Sequence, residues 1–112
     1  MITISQGPIE DLLGMFELIA GKLNTPKKRE IARRLLEAFQ DHQGKITAWD
    51  MGNLVVPNIA EDLSVSHVYV YRILGELIEL GLVAKTLKGY ELSPVFRKRL
   101  YRVYKALGDL LG

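Results

Sequence analysis

The chain has 112 residues, 48% of them apolar and 25% charged, enough for one domain with a core that needs no covalent staples. It has no cysteine, which removes disulfides, thiolate zinc sites and cysteine nucleophiles together and fits a reducing compartment. The net charge of +2 is small but unevenly placed: residues 1–25 hold Lys22 against Glu10, Asp11 and Glu17, residues 94–112 hold Arg97, Lys98, Arg99, Arg102 and Lys105 against Asp109, and Lys27, Lys28, Arg29, Arg33 and Arg34 form a second basic group. Blocks of this kind either attract phosphate or simply solvate exposed helix faces. No apolar run is long enough to span a bilayer, and Met1 to Gln6 lacks the basic-then-apolar pattern of a secretory leader, so a soluble, cytoplasmic protein is expected.

The spacing predicts a first helix over residues 8–23. Pro8 suits a first helical turn, Glu10 and Asp11 suit the positive end of the helix dipole, and Ile9, Leu12, Leu13, Phe16, Ile19, Ala20 and Leu23 make one stripe. Met15 and Leu18 widen it beyond what one neighbour covers, which makes room for a partner chain. Thr25-Pro26 is a cap followed by a first-turn proline, and opens a second helix to about Gln43 with the stripe Ile31, Ala32, Leu35, Leu36 and Phe39.

Residues 44–56 support two readings. Ile46 to Trp49 reads as a short strand followed by a turn at Asp50 to Asn53; alternatively Leu54 to Val56 is the strand, since Pro57 pushes Val56 toward extended geometry. From Pro57 the pattern sharpens. Residues 57–63 read as a short helix, Ser64-Val65 as a turn, and Ser66 as the cap of a helix reaching about Leu80 and stopped by Gly81. Residues 82–87 and 90–92 read as two strands of a hairpin around Lys88-Gly89. Ser93-Pro94 opens a last helix whose stripe is Phe96, Leu100, Val103, Tyr104, Leu107 and Leu111.

Two helices packed steeply across a tight turn need a small residue where they touch and apolar residues at fixed offsets. Ala60 fills the small position, and Ile59, Leu63, Val65, Val70 and Ile73 fill the apolar ones, with Ser64 where glycine is often found. The run Ile59-Ala60-Glu61-Asp62-Leu63-Ser64-Val65-Ser66, then Val70, Ile73, Leu74 and Leu77, then Glu79-Leu80-Gly81-Leu82-Val83, resembles the winged helix-turn-helix regulators of bacteria and archaea, broadly the MarR and PadR groups. The resemblance implies a mainly α fold with a small β-hairpin, forming a single winged-helix domain over 1–112. Residues 1–25 and 94–112 would be flanking helices around a core at 26–93, and flanking helices of this family often build a dimer.

On a helix capped by Ser66, the residues Val70, Ile73, Leu74 and Leu77 define the buried side, so Val68, Tyr71, Arg72 and Gly75 point away from it and Ser66 and His67 sit at its exposed start. Arg72 suits a guanine edge or a phosphate, Tyr71 and Ser66 can donate to phosphate oxygens, and Val68 can touch a thymine methyl. Glu76 and Glu79, near the far end, would repel phosphate unless turned aside. The resemblance further implies that Lys85, Thr86, Lys88 and Tyr90 touch the flanking backbone or minor groove.

Enzyme chemistry is not expected. His42 and His67 have no partner at metal-ligand spacing, no glycine-rich phosphate loop follows a strand, and Ser64 and Ser66 are explained by the turn and the cap. No cofactor or metal is therefore expected. Trp49 is assigned a structural role, in the core or a dimer seam. The expected function is sequence-specific binding of double-stranded DNA by a homodimeric transcriptional regulator. A replication or segregation protein of a plasmid or virus would look the same, and a winged-helix protein-interaction module is the rival from another class.

Overall fold

The computed structural model describes residues 21–94. They begin in irregular chain: Gly21 and Leu23 both have left-handed backbone (φ 63° and 55°), so the first helix cannot run on to Leu23, although that side chain is buried in the core as its stripe requires. The rest of that helix, and the helix expected after Pro94, lie outside the described residues.

Helix α1, Pro26–Asp41, starts as the sequence dictates. Thr25 is extended, its hydroxyl oxygen accepts from the Lys28 N–H at 3.1 Å, and Pro26 takes the first turn, where a missing N–H costs nothing. Ile31, Ala32, Leu35, Leu36 and Phe39 are buried. The helix stops two residues short of Gln43. Gln43 and Gly44 turn left-handed, and the Gly44 N–H closes on the Phe39 carbonyl at 2.6 Å. The His42 ring sits 2.8 Å from the Ala38 carbonyl through Nδ1, an end-of-helix contact.

Strand β1, Lys45–Thr47, follows. Of the two readings of residues 44–56, the earlier strand is present and the later one is absent, because the chain turns helical at once. One α-turn (Ala48–Asp50), a π-helical stretch (Met51–Val55) and an α-helical stretch (Val56–Leu63) run on without a break; residues 48–63 are helix α2. Pro57 is thus not the start of a helix. A proline inside a helix lacks an N–H and crowds the carbonyl four residues back. Here the preceding turn is widened, with the Val56 N–H bonded to the Met51 carbonyl five residues back, and the wider spacing accompanies the proline without breaking the helix. Met51, Val55, Val56, Ile59 and Ala60 face the core.

Ser64 takes the left-handed turn conformation (φ 54°, ψ 49°) usually given to glycine, and the Val65 N–H returns to the Ala60 carbonyl at 3.0 Å. Ser66 then caps helix α3, His67–Glu79, its Oγ accepting from the Tyr69 N–H at 3.0 Å. Val70, Ile73, Leu74 and Leu77 are buried, as their spacing predicts. Gly81 (φ 78°) ends the helix segment.

The expected hairpin is part of a three-stranded antiparallel sheet, ordered β1-β3-β2, with β2 at Val83–Lys85 and β3 at Gly89–Leu92. Its first strand ends at Lys85, not Leu87, because Thr86 to Gly89 close a tight turn. Ile46 and Lys85 both oppose Tyr90, and Val83 opposes Leu92. Gly89 is required by close approach. A Cβ there would lie 2.3 Å from the Ile46 carbonyl oxygen and 2.6 Å from the Ala48 nitrogen, closer than real atoms pack. The described residues are thus mainly helical with a small three-stranded antiparallel sheet, a layout compatible with a winged helix.

Candidate nucleic-acid interface

Helix α3 buries one stripe and leaves Val68 and Arg72 on the opposite one, with Val68 78% exposed. Ser66 spends a lone pair of its Oγ on the cap and keeps its O–H as a donor toward solvent. His67 is exposed in the first turn. Tyr71 is exposed but leans sideways: a Cβ on Gly52 would come within 3.3 Å of its hydroxyl oxygen. The five α3 residues expected to meet a partner therefore share one end of one helix, with Tyr71 resting against the π-helical part of α2.

The hairpin residues divide. Lys85 and Lys88 are exposed. Thr86 is half-buried and holds the turn, its Oγ1 accepting from the Gly89 N–H at 3.1 Å. Tyr90 is half-buried and packs against the core. Thr86 and Tyr90 thus support the hairpin, while the two lysines project from it. The first turns of α2 connect this hairpin to α3. The Ala48 N–H donates to the Lys88 carbonyl at 2.9 Å, and Gly52, one helical turn on, meets Tyr71. These two contacts join the N-terminal half of α3, the start of α2 and the hairpin turn.

The two glutamates at the far end of α3 differ. Glu79 pairs with Lys22, and this bond, helped by the nearby Glu76 charge, raises the Lys22 ammonium above its ordinary value despite partial desolvation. Glu76 is half-buried, with one carboxylate oxygen enclosed.

The basic group of α1 is also partly engaged. Arg33 bonds Glu30 and Glu37, and Arg34 reaches across to Asp62 of α2 at 2.6 Å. The Arg33 hydrogen bond is the main cause that holds the Glu30 carboxyl below the usual glutamate value, against the desolvation that would raise it. By contrast, among the described residues Arg72, Lys85 and Lys88 form no ion pair. The basic residues 97–105 lie outside the described part.

Sequence reasoning missed two exposed residues here. Trp49 is 67% exposed in the first turn of α2, and not in the core; Leu87 is wholly exposed at the hairpin turn. Treating 48–63 as one helix would have put Trp49 opposite Met51 and Val55, but Pro57 hid that continuity. Among the described residues, no three His, Asp or Glu side chains are grouped to hold a metal ion, and no helix is long and apolar enough to cross a membrane. Comparison with protein-family models, with curated proteins and with solved structures finds no match for the chain.

Proposed function

We propose that this chain is a winged helix-turn-helix protein that binds double-stranded DNA sequence-specifically and regulates transcription from the cytoplasm as a homodimer. The observation that carries the reading is the surface made by α3, the start of α2 and the hairpin turn. It exposes a hydroxyl, an imidazole, a tyrosine and three cations that form no ion pair among the described residues, and the opposite side of α3 is buried. In this reading α3 enters the major groove by its N-terminal half, Arg72 meets a base edge, and Lys85 and Lys88 hold flanking phosphates. The engagement of Glu79 with Lys22 draws one repulsive charge away from the duplex. A two-fold dimer would set two such helices about 34 Å apart on a near-palindromic site.

The test is a mobility shift with mixed genomic duplexes across a salt series. Each phosphate contact releases counterions, so log affinity should fall with log salt by about 0.9 per contact. Absent binding, or binding flat in salt, rejects the proposal; sedimentation as a monomer at high micromolar concentration rejects the dimer. A second reading, a protein-interaction module, is favoured by the exposed Trp49, Val68 and Leu87. It predicts no retained duplex at low salt.

A further inference from the structure

We infer that Trp49 and Leu87 form an apolar wedge that enters the minor groove beside the reading helix and bends the duplex; this rests on the duplex-binding reading above. Both residues stand on one hydrogen-bonded corner of the backbone. The Ala48 N–H bonds the Lys88 carbonyl at 2.9 Å, which ties the residue before Trp49 to the residue after Leu87. Thr47 caps the start of α2 by accepting from the Asp50 N–H at 3.1 Å, and the Asn53 side-chain amide donates to the Trp49 carbonyl at 2.8 Å. The hairpin turn is closed by the Thr86 N–H on the Gly89 carbonyl at 2.7 Å and by the Gly89 N–H on the Thr86 hydroxyl. Gly89 lies directly on the backbone of residues 46–48. An indole two-thirds exposed and a fully exposed isobutyl group are therefore presented by a well-braced backbone.

The charges around the corner select its occupant. Lys85 and Lys88 bracket Leu87, are exposed, and have no ion pair among the described residues. Lysine is depleted from the cores of protein interfaces, whereas proteins that pry at a minor groove combine cations for the phosphates with an apolar side chain between base steps. Of the nearby carboxylates, Asp50 and Glu91 are half-buried, and Glu91 stands opposite Lys45 in the sheet register. The turn is too short to run along a groove, so it can press at one point only. Pyrimidine–purine steps, which unstack most readily, are the steps it should prefer.

The chain's single tryptophan makes the test direct. Duplexes with a TA step placed at successive distances from the preferred site are labelled at both ends. Anisotropy reads binding, energy transfer between the ends reads bending, and tryptophan emission reads the corner. The expected result is that emission falls at least twofold on saturation and the ends approach each other. Leu87→Ala should remove most of the approach and at least threefold of the advantage of the TA-containing duplex. Saturating anisotropy with unchanged emission and unchanged end-to-end transfer overturns the wedge and leaves the duplex reading intact. No anisotropy change with any duplex overturns both. In that case an emission blue shift on concentrating the protein alone assigns the corner to a second copy of the chain.

Discussion

The two cation-bearing sides of this molecule differ in what their charges do. Along α1, Arg33 is held by Glu30 and Glu37 and Arg34 by Asp62, so these two guanidinium groups serve contacts inside the fold, while Lys27 and Lys28 in the first turn form no ion pair among the described residues. Across α3 and the hairpin, Arg72, Lys85 and Lys88 have no such carboxylates among the described residues and stand among exposed apolar side chains. As a string of letters α1 is the more basic of the two. What separates them is whether the fold supplies the counter-charge, and only uncompensated charge is left for a partner.

The largest way to break the comparison is to break the corner that builds the second side. Gly89→Ala forces a Cβ to 2.3 Å from the Ile46 carbonyl oxygen, and the opposing atoms are backbone that cannot rotate away. Denaturant unfolding should show a loss of about 3 kcal/mol, the upper range for overpacking. Unfolding like the parent's would mean that β1 and β3 do not pack as described, and the continuity of the surface would go with it.

The next effect tests the division itself. If Arg72 reaches a base edge, Arg72→Ala should cost about 1–3 kcal/mol on the preferred duplex and relax preference at that base pair. Arg34→Ala removes a charge of the same sign from the other side. It should leave duplex affinity within about twofold and cost stability by about 0.2–1 kcal/mol, as a partly exposed ion pair does. Equal losses of affinity from both would show that net charge, not the surface, governs binding.

Gly75 sharpens the comparison from the opposite direction. It lies inside α3, half-buried, and nothing stands within 4 Å of the Cβ it lacks. A mid-helix glycine costs about 0.5–1 kcal/mol relative to alanine, so Gly75→Ala should make the protein more stable by about that amount in thermal unfolding. If the helix backbone lies close against the duplex, the same methyl group should weaken binding. Gain of stability with loss of affinity marks α3 as the contacting helix. Gain in stability with unchanged affinity moves the contact away from Gly75.

How much of this was legible depends on whether local chemistry or tertiary packing decided each element. Thr25-Pro26, Ser66 and Gly81 act through their own hydroxyl, ring or missing Cβ, so both long helices begin where their residues dictate. The stripes of α1 and α3 are buried as their periodicity requires, because one face of each meets the same core. Residues 48–63 failed for a physical reason. Proline normally marks a helix start, and only a π turn ahead of it lets the helix continue. The sequence offers the third strand at Ile46 to Trp49 as one of two alternatives; its bounds, Lys45 to Thr47, are set by pairing with β3, which spacing does not encode. At the candidate surface, exposure of Val68, Tyr71 and Arg72 followed from helical phase. The supporting roles of Thr86 and Tyr90, and the exposure of Trp49 and Leu87, depend on turn and sheet geometry that spacing does not encode.

The smallest expected effect checks that the first side is internal to the fold. The Arg33 contact lowers the Glu30 carboxyl from its ordinary value of 4.5, so the folded state binds a proton there less readily than the unfolded chain. A lowered carboxyl contributes stability that is present above about pH 4.5 and is lost as pH falls through the lowered folded value. Because the pair is partly exposed and screened, and because Glu37 also holds Arg33, the contribution at neutral pH should be only about 0.3 kcal/mol. Glu30→Gln should therefore unfold slightly more easily than the parent at pH 7, and the gap should close as pH falls through the lowered folded value and the parent's own carboxylate becomes protonated. Duplex affinity at pH 7 should not change, since Glu30 is paired with Arg33 of its own helix. A clear rise in affinity on removing this carboxylate would show that α1 also meets the nucleic acid, and the contrast between the two sides would fail.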